Sequence, residues 1–156
     1  MIELEIPGRG NYKIKHLVCD VNGTLAVDGV LLPNVVIKLQ RLRDRLEIFM
    51  VTANTFGKQS LIDTQVGVSA KIIQKGDEAE QKKAFVQELG SDSVIAIGQG
   101  ANDALMLKTA GIGIAILSPE GLSAETFRYA DLLVPDIESA LSLLENPLRL
   151  VATLRT

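Results

Sequence analysis

Short apolar runs punctuate this chain at Leu17-Val18-Cys19, Ile48 to Thr52, Val94 to Ile97, Ile112 to Ile116 and Leu132-Leu133-Val134. A strand with no polar face has to be covered on both sides. The intervening stretches supply the cover, because their apolar residues return every third or fourth position and line one face of a helix. Helices are expected over about Pro33 to Leu46, Phe56 to Val66, Asp77 to Leu89, Asn102 to Ala110, Pro119 to Tyr129 and Ile137 to Leu144. The strands between them run from Glu47 to Thr52, Ala70 to Ile73, Ser93 to Ile97, Ile112 to Ile116 and Leu132 to Val134, and a tail follows from Pro147 to Arg155. Strands and helices in alternation predict an α/β domain, a doubly wound, Rossmann-like parallel sheet with helices on both faces.

Ahead of this pattern Ile2, Leu4 and Ile6 alternate with Glu3 and Glu5, and Gly8-Arg9-Gly10 turns the chain into Tyr12-Lys13-Ile14-Lys15. That is an N-terminal β-hairpin over about residues 1–15, its second arm running on into Leu17-Val18-Cys19. With 156 residues and 47% apolar content the chain is expected to form one domain, residues 1–156, able to bury a core without disulfide or metal staples. The single cysteine, Cys19, lies inside an apolar run and reads as a core residue of a reducing compartment. No apolar stretch reaches the roughly 18 residues of a membrane span, and the N-terminus is charged and alternating. A cytoplasmic protein is expected. A net charge of −3, 4% aromatic residues and no tryptophan argue against a nucleic-acid partner. Lys38, Arg41 and Arg45 fall opposite Val35, Leu39, Leu42 and Leu46, the pattern of a solvated helix face.

Ligands of a doubly wound sheet sit outside the carboxyl ends of the strands, near the point where strand order reverses. Three strands end on polar or turn residues that converge there: Asp20 before Val21-Asn22-Gly23-Thr24, Thr52 before Ala53-Asn54-Thr55, and Gly98 before Gln99-Gly100-Ala101-Asn102-Asp103-Ala104. A fourth residue, Lys82, falls near the centre of the apolar stripe formed by Ala79, Phe85, Val86 and Leu89, where a lysine either snorkels to the surface or meets a partner. Each piece also has a plain reading: Asn-Gly marks a hairpin turn, and Thr52, Asn54 or Thr55 and Asn102 make helix caps. The ordered set of four is not explained that way.

In order, these segments resemble the four motifs of the haloacid dehalogenase (HAD) superfamily of phosphoryl-transfer enzymes. The match runs from about Lys15 to Leu144 and is nearest to small capless members described as soluble relatives of P-type ATPases. The resemblance implies a Mg²⁺-dependent phosphohydrolase or phosphotransferase working through an aspartyl phosphate at Asp20. Thr52, Ala53, Asn54 and Lys82 would hold the phosphoryl group, and Asp20, the Asn22 carbonyl, Gln99 and Asp103 would surround the metal. Two positions depart from the family pattern. Asn22 stands where the general-acid aspartate belongs, and Gln99 replaces the first aspartate of the fourth motif. The expectation is weak action on alkyl phosphomonoesters, better action on acyl or aryl phosphates, and a weakened Mg²⁺ site. The alternatives are a binding or regulatory module on the same scaffold, a pseudo-phosphatase, and a receiver-like phospho-acceptor. A phosphorylated small molecule or phosphoprotein is the expected partner. Residues 25–32 suffice for a small flap around Asp28-Gly29, and the interval from Thr52 to Lys82 leaves no room for an inserted cap. Apolar Val27 and Val30 to Leu32 in that flap lead us to expect a homo-oligomer.

Overall fold

The computed structural model describes residues 1–54 and 57–156. Strands β1 (Ile2–Ile6) and β2 (Gly10–Ile14) pair antiparallel as a separate hairpin. β3 (His16–Asp20) lies at the centre of a six-stranded sheet between β6 (Glu47–Thr52) and β8 (Val94–Gly98), parallel to both. β7 (Lys71–Ile72) flanks β6, while β9 (Ile112–Ile116) and β10 (Leu132–Val134) extend the other side, giving the order β10-β9-β8-β3-β6-β7. The chain leaves β3 toward β6 and β7, then returns to β3's opposite edge as β8. Strand order therefore reverses at β3, which is where the doubly wound fold opens a crevice.

Alternation along the buried strands divides the core into two layers. Leu17, Cys19, Ile95, Ile97, Ile112 and Ile114 point to the layer closed by α1 (Val35–Leu42), α2 (Gln59–Val66), α6 (Ile137–Glu145) and α7 (Leu148–Leu154). Val18, Val94, Ala96 and Ala115 point to the other layer, under α3 (Glu78–Leu89) and α4 (Ala104–Thr109). Asp20 is in phase with Val18. The pleat thus aims its carboxylate at the helices that carry or follow Lys82 and Asp103.

Four details differ from the sequence expectations. β2 does not run on into the sheet: the Lys15 N–H donates to the Ser93 carbonyl at 2.9 Å and its own carbonyl accepts from Glu47 at 2.9 Å, so the chain changes partners within one residue. The tail is helix α7, which buries Leu150 and Leu154 beneath the hairpin. Helix α5 (Ala124–Tyr129) begins after, not at, Pro119, because Gly121 takes φ +93° in a turn closed by a 2.8 Å hydrogen bond from its N–H to the Ser118 carbonyl. The α1 face is not simply solvated, since Lys38 Nζ reaches Glu145 at 3.0 Å and Ser142 Oγ at 2.8 Å across the α1/α6 contact. The expected helix start at Phe56 and the Thr55 cap lie outside the described residues.

β4 (Ala26–Val27) and β5 (Val30–Leu31) form a minimal hairpin whose turn residues Asp28 and Gly29 have φ 52° and 75°. Val30 is 65% exposed, but Leu31 and Leu32 pack against the core, so the flap presents less apolar surface than the sequence suggested. Among the described residues, α2 and β7 are the elements that separate β6 from α3. Among the described residues no helix is long and apolar enough to cross a membrane.

Candidate active site

Lys82 Nζ lies 2.7 Å from Asp20 Oδ1 and 2.6 Å from Asp103 Oδ1, and only 1% of the lysine is exposed. The position in the middle of the α3 stripe is therefore a buried ion triad, not a snorkelling site. Lys82 also lies 3.4 Å from Asn102 Oδ1, whose amide nitrogen donates in turn to Glu78 at 2.7 Å. The second Asp20 oxygen accepts from Thr24 Oγ1 at 3.0 Å. Thr24 stood in the quoted turn, but nothing in the spacing announced that its hydroxyl folds back onto Asp20.

Charges in the triad do not balance. One ammonium faces two carboxylates in a water-poor site. Burial pushes the Asp20 carboxyl up to about 7, the Asp103 charge adds to the rise, and Lys82 and Thr24 oppose it. Burial works against the charge of Lys82, yet Asp103 and Asp20 outweigh it and hold the ammonium above the ordinary lysine range. Lys82 is thus a fixed cation, and Asp20 is the carboxylate left short of compensation. An incoming cation or the transfer of negative charge away from Asp20 relieves that shortage. Cys19, next in the strand, points into the opposite layer and is fully buried, with its thiol pushed up by burial.

Both Asp103 oxygens are engaged. Oδ1 meets Lys82, and Oδ2 accepts the backbone N–H groups of Gln99 at 3.0 Å and Gly100 at 2.9 Å. The approach requires glycine at the end of β8: a Cβ on Gly98 would lie 2.6 Å from Asp103 Cγ. Replacing Gly98 by Ala is expected to push Asp103 off Lys82 and to lower stability by about 1–3 kcal/mol, the usual cost of overpacking. Urea unfolding of the metal-free protein checks this.

Across the crevice, Thr52 Oγ1 accepts from Asn22 Nδ2 at 3.1 Å and from the Asn54 N–H at 2.9 Å. Its own hydrogen remains to donate. Asn54 sits at φ +52°, and α2 starts at Gln59 with Lys58 as its N-cap, so Thr52 and Asn54 form a local turn and do not cap a helix. The Gln99 side chain reaches the other side of the same loop, donating from Nε2 to the Asn22 carbonyl at 3.3 Å. Asn22 consequently bridges Thr52 through its side chain and Gln99 through its backbone.

A model of the family described as haloacid dehalogenase-like hydrolase matches residues 37–119, more than half of the chain. The chain belongs to the haloacid dehalogenase-like hydrolases. An uncharacterized protein of Methanocaldococcus jannaschii is 42% identical over 84 residues, covering 51% of this chain and 90% of that protein. A copper-transporting ATPase of Oryza sativa subsp. japonica is 31% identical over 100 residues, 62% of this chain but 10% of the transporter. In architecture this HAD-like hydrolase is similar to 3-deoxy-D-manno-octulosonate 8-phosphate phosphatase from Moraxella catarrhalis, solved with magnesium, phosphate and KDO. The TM-score is 0.68 at 21% identity, covering 91% of this chain and 94% of that one.

Mg²⁺ prefers oxygen donors and usually keeps several waters. Among the described residues no three His, Cys, Asp or Glu side chains are grouped to hold a metal. The Asn22 carbonyl and the Gln99 amide, whose oxygen and nitrogen exchange on rotation about its last torsion, do nevertheless meet on the loop that follows Asp20. This donor set fits a hydrated Mg²⁺, though with little negative charge.

Proposed function

We propose that this HAD-like hydrolase transfers phosphoryl groups through an aspartyl phosphate at Asp20, with Mg²⁺ as cofactor, and favours acyl or aryl phosphates over alkyl phosphomonoesters. The observation that carries this reading is the placement of Asp20: a buried carboxylate at the reversal point of the sheet, with Lys82 on one oxygen, Thr24 on the other, and the Thr52 hydroxyl across the loop.

In the first step an Asp20 oxygen forms a bond to phosphorus while the bond to the leaving oxygen breaks, and that oxygen keeps the electron pair. Lys82 neutralises the negative charge shared by Asp20 and the phosphoryl oxygens. The Thr52 hydroxyl and the neighbouring backbone N–H of Ala53 orient one of those oxygens, while the Asn54 N–H holds Thr52 Oγ1 in place. Asp20, the Asn22 carbonyl and the Gln99 amide would hold Mg²⁺, which would supply further charge neutralisation when bound. Asp103 acts in this reading by positioning Lys82, since its Oδ1 meets the ammonium while its Oδ2 takes two backbone N–H groups.

Asn22 decides the substrate class. Its amide donates to Thr52 and has no titratable proton to give an alkoxide. An acyl phosphate releases a carboxylate and needs no such proton. In the second step water attacks the phosphoryl group, the bond to Asp20 breaks, and a base must take the water proton. Asn22 cannot, so the covalent intermediate should be long-lived.

A substrate panel on the wild type and Asn22→Asp tests this. The substitution is expected to raise alkyl phosphatase kcat by about 10²-fold or more, the usual worth of a positioned general acid, with a smaller effect on acetyl phosphate. Equal changes on both substrates would remove Asn22 from the acid position.

A further inference from the structure

We infer that Glu120 supplies the carboxylate missing from position 99, completing a divalent-cation site with Asp20, the Asn22 carbonyl and the Gln99 amide. The inference rests on the phosphoryl-transfer reading of Asp20 and concerns how its metal is held.

The geometry is set by Gly23. This residue takes φ +83°, and a Cβ there would lie 2.2 Å from Gln99 Nε2 and 2.6 Å from Glu120 Oε2. Two side chains from different parts of the sheet, one after β8 and one after β9, converge on the bare face of the loop that follows Asp20. Gln99 at that point also touches the Asn22 carbonyl. Glu120 thus reaches the same side of the nucleophile loop as the backbone oxygen a cation would use.

The turn that presents Glu120 is built, not incidental. The Glu120 N–H donates to Ser118 Oγ at 3.1 Å, and the Gly121 N–H closes the turn on the Ser118 carbonyl at 2.8 Å. Two further bonds fasten the following residues to the loop that carries Gln99. The Ser123 N–H donates to the Gln99 carbonyl at 2.9 Å, and Thr126 Oγ1 donates to the Gly100 carbonyl at 2.5 Å. The segment that follows Glu120 is thereby tied to the loop that carries Gln99.

Charge gives the reason. With Asn at 22 and Gln at 99, with Asp103 taking Lys82 and two backbone N–H groups, and with Asp20 itself shared between Lys82 and Thr24, little negative charge is left there for a cation. Among the described residues no Lys or Arg pairs with Glu120. Its exposure suits Mg²⁺, which keeps much of its water and takes one or two carboxylates.

The test is Mn²⁺ binding to the metal-free protein, followed by the loss of the free-ion paramagnetic resonance signal, for the wild type, Glu120→Gln, Glu125→Gln and the double variant Glu120→Gln/Gln99→Asp. Glu120→Gln is expected to weaken Mn²⁺ binding at least as much as loss of an outer-shell partner, about tenfold to a hundredfold. Glu125→Gln, also exposed on this side of the sequence, should bind as the wild type does. The double variant should regain affinity, because a carboxylate returns to position 99. Thermal unfolding in EDTA should be the same for wild type and Glu120→Gln. Unchanged Mn²⁺ affinity in Glu120→Gln, with Asp20 still phosphorylated by acetyl phosphate, overturns the inference and leaves the function standing. Absence of both Mn²⁺ binding and phosphorylation in the wild type overturns both.

Discussion

Lys82→Met is expected to destabilise the metal-free protein by about 3–5 kcal/mol at neutral pH and to abolish phosphoryl transfer, because removing one partner of a buried ion cluster leaves the remaining charges uncompensated. Here the residue lost is the only cation between two carboxylates, at 2.7 Å from Asp20 and 2.6 Å from Asp103. Methionine keeps nearly the length and volume of the buried side chain, so the loss reports charge and not a cavity. Urea unfolding at pH 7.5 and again at pH 5 checks the account. The defect should shrink at the lower pH, where the Asp20 carboxyl, pushed up by burial, binds a proton. A pH-independent loss would mean that packing, not charge, sets the cost.

Asp20→Asn should do the reverse to stability while ending activity. The Asp20 carboxyl is pushed up to about 7, chiefly by burial and then by Asp103, from an unfolded value near 4. A group whose folded value lies above its unfolded one favours the fold at low pH and loses that contribution as pH rises through the folded value. The metal-free wild type should therefore lose up to about 1.4 kcal/mol per pH unit between roughly pH 4 and pH 7 from this group. Asp20→Asn lacks the loss and keeps Lys82 paired with Asp103. The variant is expected to melt at a higher temperature than the wild type at pH 8 in EDTA, with no gain at pH 4. Such a trade, stability surrendered for a charged group held ready, is common at catalytic positions.

Much of the fold was legible because its strands are apolar throughout and its helices are one-sided. β6, β9 and β10 match the expected spans residue for residue. Where the reading failed, tertiary contacts overrode local pattern. Helix α7 is short and lies after Pro147, and its stability comes from Leu150 and Leu154 under the hairpin, a contact the periodicity of so short a segment cannot announce. The sequence points to a helix from Pro119 to about Tyr129, whereas Gly121 at positive φ makes residues 119 to 123 the loop that carries Glu120.

The site was legible in its strand ends. Asp20, Thr52 and the residues after Gly98 share one edge because parallel strands place their carboxyl ends together, and Lys82 stood out as a charge on an apolar face. What the sequence could not reveal was partnership: which oxygen of Asp20 each donor takes, that Asp103 spends both of its oxygens, and that Thr24 folds back onto Asp20. Glu120 carried no signal, since an exposed glutamate after Pro119 is indistinguishable from an ordinary turn residue until Gly23 is seen opposite it.

The most direct test of the central claim is covalent labelling. Wild type and Asp20→Asn are incubated with acetyl phosphate and Mg²⁺, quenched in acid, and digested for mass spectrometry of the peptide containing residues 16 to 25. One phosphoryl group on Asp20 in the wild type, absent from Asp20→Asn and slow to hydrolyse, is the predicted result. Turnover without label on that peptide, or label that persists in Asp20→Asn, would contradict the assignment of Asp20 as nucleophile.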